Sequence, residues 1–382
     1  MAFLPHIPGT RPIEVGPPHP QRKGVGVLGL HEGRTLLLAL NRCTKAYPVA
    51  ACDVDPDKLA ASRAELPDLF FTTTCDELLA RPEVDIIAIY TPDAQHADHV
   101  VRAFEAGKDV ICTKPLVNSI DGAKRMLAAG RRTGRRLLVG QSTRFFEPFM
   151  RQRRALERGE FGGLQGVELV DAHYIHRMDW FYRKSPWAAR EAETDWVFLG
   201  LSHPLDLIRW YLGHIREVHT YANRSAMGAS FGLEGRDIHV VNLVAEDGRI
   251  GRAMGHYGCH ELPTARNCIE LMLYGTGGSS LAQYHDMKYI HTAGPDDEMT
   301  EITEDHLYAG RHYYFNSEVH GMHYGEFANY AESFAGALID GSPCSPDLEE
   351  GVETFCVMEA VKRSAQTGRP VEVRPLLEKV GL

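Results

Sequence analysis

The sequence predicts an α/β chain, with a doubly wound parallel sheet in its N-terminal half and then an α+β domain built on a large, mostly antiparallel sheet. Three observations carry this. From Gly24 onward, short Val/Ile/Leu/Ala runs alternate with helical patterns, the signature of βαβ units. After about Phe145 the pattern changes to longer alternating stretches joined by turns such as Asp247-Gly248, which suit hairpins. The chain has 382 residues, 44% of them hydrophobic, which allows two to three domains at about 150 residues each.

Strands are expected near Val25–Leu28, Val49–Cys52, Asp85–Tyr90, Asp109–Cys112 and Leu137–Val139. Asp55 followed by Pro56 opens one intervening helix, because proline at the first helical position gives up an N–H that has no partner there anyway. Thr74 and Ser119 are further N-cap candidates, and Gly107 and Gly134 stand where left-handed C-caps would end helices. In the second half, Gly166–Tyr174, Asp237–Glu246, Arg249–Tyr257 and Cys268–Tyr274 read as strands, with Gly275-Thr276-Gly277-Gly278 as a turn. Phe327, Tyr330, Ala331, Phe334 and Leu338 repeat at helical spacing, and a last helix over Asp347–Gln366 stops at Gly368. The expected organisation is a proline-rich arm (1–22), a first domain (23–145) and a second domain (146–382), with the cleft between domains as the default site.

The formal net charge of −10 argues against nucleic acid and anionic membrane as partners, since both require clustered Lys and Arg. The apolar runs fall far short of the roughly 18 residues of a membrane span. Eight scattered cysteines with no Cys-x-x-Cys pair show no disulfide or zinc framework. His256, Cys259 and His260 do not suggest a metal centre, because on a strand Cys259 points away from the two histidines. Met1–Gln21 carries six prolines and no apolar signal core, so the expected compartment is the cytoplasm.

Gly24-Val25-Gly26-Val27-Leu28-Gly29 spells G-x-G-x-x-G, but it runs through the first strand, where glycines cannot form a loop that opens a helix. The physically sensible loop is Gly29-Leu30-His31-Glu32-Gly33-Arg34, just before a helix whose free N–H groups suit a pyrophosphate. His31 occupies the place of the second glycine, so either the loop stands off or His31 itself reaches a phosphate. Asp53 ends the second strand, 24 residues beyond Gly29, where an acid accepts the hydroxyls of an adenosine ribose and repels a 2′-phosphate. That spacing favours NAD over NADP. The plain alternative for Asp53 is a turn acid in Asp53-Val54-Asp55-Pro56.

Three later segments, Tyr90-Thr91-Pro92-Asp93-Ala94-Gln95-His96, Gly107–Leu116 and His203-Pro204-Leu205-Asp206, are similar in order and spacing to the Gfo/Idh/MocA dehydrogenases of sugars and cyclitols. The resemblance runs from about Gly24 to Val373 and implies a Rossmann domain, NAD as cofactor and a small carbohydrate as substrate. It implies that Lys114 sits beside the nicotinamide and bonds the hydroxyl being oxidised, with His203 as its acid–base partner. Thr113 stands where the family has glutamate and Leu199 where it has aspartate, which leaves Asp206, one turn beyond His203, as the residue to orient the imidazole. Thr91, Pro92 and His96 match the loop around the nicotinamide ribose, and Gln141 to Arg144 match a segment lining the same pocket.

Within Asp171–Trp187, the residues His173, His176, Arg177, Trp180, Tyr182, Arg183, Lys184 and Trp187 offer cations and aromatic faces. They suit a sugar with an acidic substituent, or equally a solvated charged loop. Three activities follow from the resemblance: a dehydrogenase of a ring hydroxyl; a glycosidase that oxidises transiently, eliminates, hydrates and re-reduces on recycled NAD; and a dinucleotide-binding sensor without chemistry. The family also implies a homo-oligomer, dimer or tetramer, that covers the open sheet face.

Overall fold

The computed structural model describes residues 16–163, 166–184, 195–259, 268–284, 287–294, 300–306 and 325–382. Two compact units emerge, the chain passing from the first to the second at Phe145/Phe146 and revisiting the first near its C-terminal end.

The first unit holds a six-stranded parallel sheet of β1 (Lys23–Leu28), β2 (Ala46–Cys52), β3 (Phe70–Thr72), β4 (Ile86–Ile89), β5 (Asp109–Thr113) and β6 (Leu137–Gly140), in the spatial order β3-β2-β1-β4-β5-β6. The order reverses between β1 and β4, and in such sheets a ligand binds at the carboxyl ends beside that switch. Helices α1 (Gly33–Ala39), α2 (Pro56–Glu65), α3 (Cys75–Leu79), α4 (His96–Glu105) and α5 (Ile120–Thr133) connect the strands. The expected starts and stops are borne out where a side chain or a glycine supplies the missing partner: Asp55 accepts from Asp57 N at 2.9 Å, Ser119 accepts from Gly122 N at 3.2 Å, and Gly134 ends α5 at φ +66°. Thr74 precedes α3 in extended backbone without a capping bond.

The second unit is a nine-stranded sheet in the order β14-β13-β12-β11-β7-β10-β9-β8-β15. Its strands are β7 (Val167–Ile175), β8 (Ile215–Asn223), β9 (Ile238–Ala245), β10 (Ile250–His256), β11 (Ile269–Gly275), β12 (Gly278–Tyr284), β13 (Lys288–Ala293), β14 (Thr300–Asp305) and β15 (Val371–Glu372). Only the β7–β10 pair is parallel. α6 (Glu147–Glu157) and α9 (Ser202–Leu212) pack on one face of this sheet. α7 (Asp179–Lys184), α8 (Trp196–Leu199) and α10 (Ala226–Ser230) are short.

α11 (Glu326–Asp340) departs from the expectation of an uninterrupted second domain: it belongs with the first unit, as do residues 341–352. Its Phe327, Tyr330 and Phe334 join one core with Val25, Leu36, Ile86 and Phe145, and Glu332 accepts from the amides of Thr44 and Lys45 at 3.0 and 2.8 Å. An amphipathic stripe records that a helix buries one face, not which core receives it. α12 (Leu348–Thr367) and α13 (Arg374–Val380) complete the chain. Among the described residues no helix is long and apolar enough to cross a membrane, and no group of three or more His, Cys, Asp or Glu side chains can hold a metal ion. Residues 1–15 of the arm, Trp187 and His260 lie outside the described residues.

Candidate active site

β1 delivers the chain into the turn from Gly29 to Arg34. Gly29 adopts φ +91°, and a Cβ there would meet the Tyr90 carbonyl oxygen at 2.7 Å. A Cβ on Gly33 would meet Val27 Cγ1 at 2.8 Å, so this glycine lets α1 lie close to the sheet. Leu30 is buried, and its N–H donates to Asp53 Oδ2 at 2.7 Å. The second Asp53 oxygen accepts from Asp55 N at 2.9 Å, and Lys58 Nζ lies 3.8 Å from Oδ2. Asp53 therefore braces the glycine turn and also its own turn, which is both the expected position and the plain alternative. His31 is exposed at the second-glycine position, beside Glu32, which immediately precedes α1. Arg34 is bound to Glu65 of α2 through Nε at 3.1 Å.

At the ends of β4, β5 and β6 the chain supplies Thr91, Lys114 and Gln141. Tyr90 Oη, Thr91 Oγ1 and Gln141 Oε1 are buried with no hydrogen-bond partner among the described residues. A buried polar atom left so costs about 1–3 kcal/mol, which a bound polar ligand recovers. Lys114 is partly buried, its peptide to Pro115 is cis, and Thr113 beside it is likewise partly buried. Desolvation pulls the Lys114 ammonium below the ordinary amine range, and the negative charges of Glu32 and Asp93 oppose that shift. The first unit thus brings Lys114 into the field of the glycine turn and of the Thr91 turn.

Two of the expected residues are engaged within the first unit. His96 is 1% exposed, with both ring nitrogens against backbone carbonyls, so it supports the Thr91 loop from within and offers no free ring nitrogen. Arg144, 2% exposed, donates to Ser345 Oγ at 3.0 Å and lies 3.5 Å from Glu350, which makes it an internal tie.

In the second unit, β7 and α9 position His203. Its imidazole lies edge-on to Tyr174 at 5.7 Å, and the same Tyr174 ring stacks with His176 at 6.2 Å and meets Tyr257 edge-on at 5.5 Å. Tyr174 thereby gathers two of the expected residues and is one that sequence reasoning missed; its position at the end of an alternating strand was the available signal. Leu199 packs on a cluster of Tyr182, Trp196, Met227, Leu233 and Tyr257. Tyr182, expected at the substrate, is a member of that cluster at 1% exposure, with its hydroxyl accepting from Trp196 Nε1 at 2.7 Å. An aromatic with a polar tip is read equally well from sequence as a binding face or as a satisfied core residue. Trp180 is 52% exposed, whereas Arg177 and Arg183 both bond Asp179, at 3.2 and 3.4 Å. Asp206 is fully buried and accepts from Thr354 Oγ1 of α12 at 3.5 Å.

The glycine turn without room for Cβ atoms, together with the orphaned polar atoms of Tyr90 and Thr91 beyond β4 at the switch point and of Gln141 beyond β6, fits a dinucleotide. Residues 23–141 match the Gfo/Idh/MocA oxidoreductase family model for the NAD-binding Rossmann fold, and residues 153–373 match the model of that family's C-terminal α/β domain. Inositol 2-dehydrogenase 1 of Saccharopolyspora erythraea is 24% identical over 92% of this chain and 94% of its own. The 1-carboxy-3-chloro-3,4-dihydroxycyclohexa-1,5-diene dehydrogenase of Comamonas testosteroni is 32% identical over 52% of this chain, and the match spans only 50% of that enzyme. Among solved structures, levoglucosan dehydrogenase with NADH and levoglucosan superposes with a TM-score of 0.77 at 20% identity, over 92% of this chain and 99% of its own. An oxidoreductase from Agrobacterium radiobacter, in complex with NAD+, L-tartaric acid and magnesium, gives 0.78 at 20% identity, over 93% and 100%. These two likenesses speak to the fold, whereas the two family models together span both units. The chain belongs to the Gfo/Idh/MocA family of oxidoreductases, with an NAD-binding Rossmann fold as its N-terminal domain.

Proposed function

We propose that this protein oxidises a ring hydroxyl of a sugar or cyclitol with NAD. The observation that carries the reading is Lys114, an ammonium weakened by desolvation at the carboxyl end of β5, next to orphaned polar atoms at the neighbouring strand ends. The similarity to inositol 2-dehydrogenase 1 of Saccharopolyspora erythraea supports the substrate class. Glu32-Gly33 at the start of α1 holds the pyrophosphate side, Asp53 favours the unphosphorylated ribose, and Thr91 and Gln141 face the nicotinamide side. NAD, when bound, supplies the acceptor for the electron pair and hydrogen that leave the ring carbon. Lys114 bonds the hydroxyl oxygen and stabilises the charge that develops as its proton leaves, and His203 takes that proton. Trp180 offers an exposed face for a sugar ring. Since Asp179 already engages Arg177 and Arg183, selection for an acidic substituent rests on the residual field of Arg177 with His176.

The test is absorbance at 340 nm after NAD is mixed with neutral and acidic sugars, cyclitols and glycosides. Sustained NADH formation supports a dehydrogenase and names the substrate. Aglycone release without net NADH replaces it with the oxidation–elimination glycosidase, and bound NAD with neither signal leaves a sensor.

A homo-oligomer is part of the same proposal. On the face of the second-unit sheet away from α9, Leu169, Val244, Ile250 and Tyr274 lie in one cross-strand row, with Met272, Leu281 and Ile290 in the next. Ile250 and Tyr274 are exposed, and an apolar face of this kind is stabilised when a second copy covers it. Sedimentation velocity is expected to give a dimer or tetramer that Ile250→Arg weakens; a monomer in both forms would remove this part of the proposal.

A further inference from the structure

His96 is the first residue of α4, yet its side chain serves two other segments. Nδ1 lies 2.8 Å from the Pro115 carbonyl oxygen and Nε2 lies 2.8 Å from the Thr91 carbonyl oxygen. Those carbonyls follow two different strands, β4 and β5, which are adjacent and parallel with Ile89 opposite Cys112. Each turn carries a residue of the proposed reaction: Thr91, with its orphaned Oγ1, on one, and Lys114 on the other. Beyond the strand ends the sheet ladder no longer holds the two segments at a fixed spacing, and the imidazole bridges them there. We infer that His96 is a positioning residue that ties the Thr91 turn to the Lys114–Pro115 turn and so sets the nicotinamide-side ribose contact relative to the ammonium.

This rests on the reading of Lys114 and Thr91 given above, but it makes demands on the free protein that do not depend on any sugar being oxidised. Carbonyl oxygens only accept, so each contact needs a proton on the nitrogen facing it; a neutral ring satisfies one, a protonated ring both. Burial pushes the imidazole pKa down, while the two carbonyls and Asp93 oppose that shift.

Two substitutions separate the two ties. The amide nitrogen of asparagine falls near the place of Nδ1, and that of glutamine near the place of Nε2. His96→Asn is therefore expected to keep the Pro115 tie and release the Thr91 turn, raising the NAD dissociation constant about tenfold with a smaller change in kcat. His96→Gln is expected to do the reverse, leaving NAD affinity within about twofold and lowering kcat about tenfold. Amide hydrogen exchange in the free protein is expected to quicken over 91–95 in the first variant and over 114–118 in the second. NAD binding is followed by titration calorimetry. If both variants shift affinity, kcat and exchange in parallel, or shift none of them, His96 merely fills the core and the inference fails. Should a variant not fold, the wild type still decides: histidine-labelled protein is expected to show a slowly exchanging His96 ring N–H, and a rapidly exchanging one overturns the tie. A protein that oxidises no sugar yet shows the affinity and exchange pattern would sink the proposed activity and keep this inference.

Discussion

Lys114 and His239 are basic residues with depressed pKa values, and burial is the leading cause for both, but only Lys114 has a role in the proposed chemistry. As the proposed site ammonium loses its proton below its ordinary 10.5, the charge that stabilises the developing oxyanion goes with it, so the kcat for oxidation is expected to fall with rising pH along a limb that belongs to Lys114. Lys114→Arg, which keeps its charge at every accessible pH, should erase that limb and lower kcat by about 10²–10⁴-fold; a limb left unmoved would assign it to another group. His239 sits inside the second unit, 2% exposed, with its pKa pushed down to about 4. Because the unfolded chain binds a proton near 6.5 and the folded chain does not, stability rests on the neutral ring, is fully present above 6.5 and is lost as pH falls toward 4. Between pH 7 and pH 5 the loss is on the order of 2 kcal/mol. Urea unfolding at the two pH values should show this difference in the wild type and a smaller one in His239→Gln. Asp53 illustrates the limit of reading single residues: a ribose-facing acid and a turn acid both satisfy its spacing at the end of β2, and the bonds from Leu30 and Asp55 show the bracing of the two turns.

Elements were legible where local chemistry closes on itself. Ser119 and Gly134 bracket α5 because a hydroxyl partners an N–H at one end and glycine reaches φ +66° at the other, both within a few residues. Ser119→Ala is expected to cost about 1 kcal/mol. Thr74→Ala, at a candidate cap that makes no such bond, should stay within about 0.5 kcal/mol; equal losses in thermal unfolding would contradict the distinction. β3, three residues long, escaped notice because Phe70–Thr72 is too short to show a period. β12 to β14 carry Ser, Thr, Gln and Glu on the open face, so their apolar alternation is diluted and their pairing comes from neighbours in the ladder. Tyr182 and Arg144 show the same limit inside elements: a residue type that can bind a ligand can also satisfy a core, and side-chain identity does not say which.

At the scale of the whole molecule, the first unit is completed by a helix some two hundred residues beyond its last strand. Phe334 of α11 is fully buried in the core that includes Val25 and Ile86. Phe334→Ala is therefore expected to destabilise the first unit by about 3–5 kcal/mol and to weaken NAD binding, without quickening exchange in β9 and β10 of the second. A loss confined to the second unit would show that α11 belongs there instead.

Through periodicities and caps that act over a few residues, the sequence by itself determined the α/β class, the parallel and antiparallel halves, the helix boundaries at Asp55, Ser119 and Gly134, and the motif set that includes Lys114 and His203. Tertiary structure alone decided that α11 returns to the first core, that Tyr182, Arg144 and His96 face inward, and that Tyr174 sits beside His203. These are outcomes of long-range packing: apolar surface and polar valences are satisfied by whichever distant segment arrives with the complementary shape, and no local pattern encodes that arrival.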